Sequence, residues 1–72
     1  MITGKTLRLL RNLKGLKQKT VADKLNISQA AYSKLENKKF INGTVLVKIR
    51  TVLKCTDEEI ESIAKLFTPP GK

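Results

Sequence analysis

Histidine and tryptophan are absent from the 72 residues, cysteine occurs once, and only six residues are acidic. Without histidine the chain lacks the commonest metal ligand and general base, and one cysteine permits neither an internal disulfide nor a thiolate cage. No catalytic residue, metal or cofactor is therefore expected. Cys55, between Leu53 and Thr56, reads as a small buried hydrophobe. One tyrosine and two phenylalanines are the only aromatics, and no stretch alternates apolar and polar residues between hairpin dipeptides, so strands are not expected. Long apolar runs are missing too. The opening MITGKTLRLLRNLKG has no uninterrupted stretch of about seven apolar residues, as a secretory signal needs, and no window approaches the ~18 of a membrane span. These absences predict a cytoplasmic protein in a reducing compartment, with neither a membrane nor a small molecule as partner.

Positive charge is what the sequence has in excess. Residues 1–54 carry thirteen Lys or Arg against two Asp or Glu, a balance of +11, whereas residues 55–72 come to −2, leaving +9 for the whole chain. A basic body with a mildly acidic end predicts that the first three quarters meet a polyanion, nucleic acid above all. A chain of this size buries only roughly 60–65% of the surface that it exposes when unfolded, so its function is expected on the surface rather than in a deep cleft.

Apolar spacing is helical throughout, and no internal repeat or linker interrupts it. Leu7, Leu10 and Lys14 share a face of a first helix over about Lys5–Lys14, with Thr3 or Gly4 before it and Gly15 as its stop. Val21, Ala22 and Leu25 mark a short second helix over Gln18–Leu25, ended by Asn26, a residue that tolerates a left-handed backbone. Ser28 is a good N-cap for a third helix from Gln29 to about Asn37, with Tyr32 and Leu35 inward. Val45, Leu46, Ile49, Val52 and Leu53 give a fourth helix, over Thr44–Lys54, a wide apolar face that suits the centre of the core. Thr56-Asp57-Glu58-Glu59 is a capping box with three acids at the positive end of a fifth helix, and Ile60, Ile63, Ala64 and Phe67 follow as its stripe. The domain is expected to span residues 1–67, with Thr68-Pro69-Pro70-Gly71-Lys72 as a flexible tail that cannot continue a helix. No effector domain is expected in so short a chain.

Gln18–Asn37 reads as two short helices joined by a tight turn, in which Ala22 permits close approach and Val21, Leu25, Ile27, Tyr32 and Leu35 form an apolar wedge between them. This segment, with Arg11 ahead of Gly15-Leu16, resembles the lambda repressor-like (Cro/CI, XRE-type) helix-turn-helix domains, and the resemblance covers roughly residues 4–61. It implies an all-α, compact five-helix fold in which the third helix enters the major groove of double-stranded DNA and the start of the second lies over the phosphate backbone.

With Tyr32 and Leu35 inward, a helical wheel leaves Ala30, Ser33, Lys34 and Asn37 outward and Gln29 exposed. Gln29 can present its amide bidentately to adenine, Ala30 can touch a thymine methyl, and Ser33 and Lys34 can donate to bases or adjacent phosphate. Lys17, Gln18, Asn37, Lys38 and Lys39 are the expected phosphate anchors. In the family pattern a Gln at the start of the second helix also braces the Gln that opens the third, and Gln18 and Gln29 hold those two positions. The resemblance likewise implies a partly buried ion pair between Arg11 and Glu36.

Two positions depart from the pattern. Lys17 replaces the usual Ser or Thr cap, and Lys38 stands where a glycine commonly ends the third helix, so Asn37 or Lys38 is expected to leave it with an unusual backbone. Leu9 and Leu13 lie off the Leu7/Leu10 face and are assigned to packing on an extended fifth helix. Ile63, Leu66 and Phe67 exceed what a minimal cap over the core needs and are candidates for a homodimer surface. The reading that follows is a repressor-like regulator, a homodimer on a two-fold operator with half-sites about 34 Å apart. The alternative is a protein-interaction module of the same fold that binds a protein through its fifth helix.

Overall fold

Four short polar side chains decide where helices begin. In the computed structural model, which describes residues 2–67, Thr3, Ser28, Asn42 and Thr56 each accept a backbone N–H three residues ahead, from Thr6, Ala31, Val45 and Glu59. The helices they open are α1 (Gly4–Leu13), α3 (Gln29–Glu36), α4 (Gly43–Leu53) and α5 (Asp57–Ala64). At Thr56 the capping box is complete, because the Glu59 carboxylate accepts the Thr56 N–H in return. The remaining helix, α2 (Gln18–Leu25), starts at Lys17 with no side-chain cap. A single 3₁₀ turn, Lys65–Phe67, extends α5, and the described residues contain no strand, so the fold is all-α.

Two non-glycine residues in the left-handed region bend the chain. Asn26 (φ 61°, ψ 42°) ends α2, and the Ile27 N–H reaches back 3.0 Å to the Ala22 carbonyl, so that α3 starts after a turn of only three residues. Lys54 (φ 55°) ends α4 in the same way, with Cys55 N–H on the Arg50 carbonyl. Asn26 is legible as such a residue. Lys54 is not, since lysine has no local preference for that conformation.

Helix α2 packs on α3 and α4, and α1 packs on α3, α4 and α5. Between them lie Leu7, Leu10, Val21, Ala22, Tyr32 and Ile49, each essentially without solvent contact, and Leu53, Ile60 and Cys55 close the far side. Burial pushes the Cys55 thiol up, so it is an inert part of the core. Leu25, Leu35, Val45, Leu46 and Val52 are half-buried at its margins.

Four expectations are corrected. Ile27, assigned to the wedge, is exposed, because the left-handed turn at Asn26 carries it to the outside. Leu13 is 65% exposed and therefore does not pack on α5, although Lys14 beside it does reach Glu59 at 3.3 Å. The exit from α3 needs no unusual conformation. Asn37 lies at φ −102°, ψ 1°, in the bridge region, neither it nor Lys38 has a positive φ, and the Asn37 side-chain amide donates to the Ser33 carbonyl at 3.0 Å. Finally, α4 begins at Gly43 rather than Thr44, capped by Asn42. The tail assigned to residues 68–72 lies outside the described residues.

Candidate nucleic-acid interface

Helix α3 is held from one side. Tyr32 and Glu36 are buried and Leu35 is half-buried, whereas Gln29, Ala30, Ala31 and Lys34 are exposed. The outward face is thus an amide, two methyl groups and an ammonium, a set that suits the floor of a groove carrying both hydrogen-bonding edges and methyls. Ser33, expected outward, is only half-exposed, at the margin of that face. Asn37, Lys38 and Lys39 are exposed beyond its end, and Lys17 is exposed ahead of α2.

The inner side of α3 ends on a charged junction. Arg11 Nε donates to Glu36 Oε2 at 2.6 Å and Arg11 Nη2 to Oε1 at 3.3 Å, while Nη1 donates to the Leu16 carbonyl at 2.8 Å. The guanidinium therefore ties together α1, the α1–α2 loop and the last residue of α3. Gln18 Nε2 donates to the same Glu36 Oε1 at 2.9 Å, which brings the first residue of α2 to this point as well. Gln18 thus braces Glu36; no hydrogen bond joins it to Gln29 among the described residues. The Glu36 side chain has 0% exposure and that of Arg11 12%. Burial alone would raise the Glu36 carboxyl, but the hydrogen bonds from Arg11 and Gln18 outweigh it and hold its pKa below the ordinary carboxylate value. The Tyr32 hydroxyl is buried close by without a partner at hydrogen-bonding geometry, and burial, reinforced by the Glu36 carboxylate, pushes its pKa up.

A feature without a sequence signal completes the junction. Gly4 is buried at the start of α1, its N–H donates to the Lys38 carbonyl at 2.8 Å, and a Cβ there would collide with the Glu36 carbonyl. The first turn of α1 thus lies directly on the last turn of α3, and Ile41 N–H on the Ile2 carbonyl (2.8 Å) continues the contact. Close approach of two backbones distant in sequence leaves no local pattern to read.

A family model for helix-turn-helix domains matches residues 7–60, three quarters of the chain. The chain belongs to the lambda repressor-like helix-turn-helix family. The curated proteins and the solved structures returned no match. As a helix-turn-helix protein it is a DNA-binding regulator, with α2 and α3 as the paired helices of the motif. No helix among its described residues is long and apolar enough to cross a membrane.

Proposed function

We propose that this helix-turn-helix protein is a sequence-specific, repressor-like transcriptional regulator without enzymatic activity, acting in the cytoplasm as a homodimer on a two-fold operator. Helix α3 enters the major groove; Gln29, Ala30, Ser33 and Lys34 read bases, and Lys17, Gln18, Asn37, Lys38 and Lys39 hold phosphates. The observation that carries this reading is the one-sided seating of α3, with Tyr32 and Glu36 buried behind it and Gln29, Ala30 and Lys34 open in front. The charge balance of +9 supports it.

For the dimer, Leu66 supplies the apolar surface: it is 68% exposed, whereas Ile63 is half-buried against the core. Ile63 is thus a weaker dimer candidate than Leu66. The third candidate, the Phe67 side chain, lies outside the described residues.

Selection of duplexes from a random pool, followed by Gln29→Ala on the winning site, tests the reading. The variant is expected to lose discrimination at one base pair, on the order of 1–3 kcal/mol, with the rest of the preference intact. An equal loss on every sequence would make Gln29 an anchor rather than a reader. A pool from which no sequence is enriched would remove sequence-specific regulation and favour binding of a protein through α5.

A further inference from the structure

A second arginine, Arg8, reaches the junction by a looser contact. It lies one turn after Gly4 on α1, and the Gly4 N–H bond to the Lys38 carbonyl brings that turn against the end of α3. Arg8 Nε pairs with Glu36 Oε1 at 3.5 Å, yet the Arg8 side chain makes no hydrogen bond there or elsewhere among the described residues and is 51% exposed. Glu36 carries a single negative charge, which Arg11 already engages through two nitrogens while Gln18 takes a further bond to Oε1. Arg8 therefore shares a carboxylate that Arg11 and Gln18 already engage, and its half-exposed side chain sits on the turn of α1 that the Gly4–Lys38 bond docks against the end of α3, where Lys38 and Lys39 are also exposed, with exposed Lys5 three residues before it.

We propose that Arg8 is a DNA-phosphate ligand that extends the Lys38–Lys39 anchor onto α1, so that the backbone is gripped at the end of α3 by two elements rather than one. The proposal rests on the DNA reading above. Its physical basis is that the Gly4–Lys38 bond sets the distance between the two cationic segments before any nucleic acid arrives, and that a guanidinium without hydrogen-bond partners matches two phosphate oxygens. A half-exposed ion pair at 3.5 Å contributes little to folding, which leaves the side chain available for this role.

The test is the salt dependence of binding by the full chain to its selected duplex, between about 50 and 300 mM KCl. Arg8→Gln is expected to make the slope of log K against log[salt] shallower by about 0.9 per protomer, with base preference unchanged and the melting temperature within a few degrees of wild type. Arg8→Lys is expected to restore the slope, because the charge is kept. The proposal is overturned if Arg8→Gln keeps the wild-type slope, or if the Gln and Lys variants are equally shallow. A wild-type protein whose binding is independent of salt would instead overturn the DNA reading, and this inference with it.

Discussion

Glu36→Ala is expected to destabilise the domain by about 3–5 kcal/mol, the range for removing one partner of a buried ion pair. The reason is the geometry left behind: the Arg11 side chain, only 12% exposed and fixed by its bond to the Leu16 carbonyl, loses its counter-charge, and Gln18 loses its acceptor. For a domain of this size the melting temperature falls by on the order of 20 °C. The pH profile gives a second readout. Because the Glu36 carboxyl is held below its ordinary value, its contribution is fully present above about pH 4.5 and is lost as pH falls through its folded pKa. Wild-type stability should therefore drop on acidification, and Glu36→Gln should remove much of that drop. Part remains with Glu59, whose carboxyl is held low by the Thr56 N–H and by Lys14. A thermal melt of Glu36→Ala that matches wild type would show that the junction does not hold the three helices.

The second large effect is expected at Gly4→Ala. An alanine inside a helix ordinarily gains about 1 kcal/mol over glycine. Here the added methyl meets the Glu36 carbonyl, a rigid group in the middle of the junction, so the Gly4–Lys38 hydrogen bond must break or α1 must move off α3. Overpacking of this kind costs about 3 kcal/mol, or on the order of 15 °C in melting temperature. Gly43→Ala is the control. Gly43 also stands at the first position of a helix, but nothing approaches its missing Cβ, and that variant is expected to melt at or slightly above wild type. Equal melting temperatures for the two alanine variants would contradict the close docking of α1 on α3.

What could be read in advance follows a physical rule. Helix starts at Ser28 and Thr56, the left-handed Asn26 and the inward Tyr32 depend on residues within one turn of one another, and the structure agrees with the sequence at each. The Arg11–Glu36 pair was legible through resemblance to a family rather than through spacing, since the two residues are 25 apart in the chain. Contacts that depend only on the third dimension were not legible: the collision space around Gly4, the Gln18–Glu36 bond in place of a Gln18–Gln29 brace, and the half-exposed Arg8 beside Glu36. Apolar character also misled in two places. Ile27 and Leu13 read as packing residues, yet each sits at or just before a turn that faces it outward.

The most direct test of the central idea is an amide chemical-shift map of the full chain, titrated with its selected duplex. Changes are predicted at Lys17 and Gln18, along Gln29–Lys34 and at Asn37–Lys39, with α5 and the turn after it left unperturbed apart from any effect of dimerisation at Leu66. Changes confined to α5, with Gln29, Ala30 and Lys34 unmoved, would contradict it.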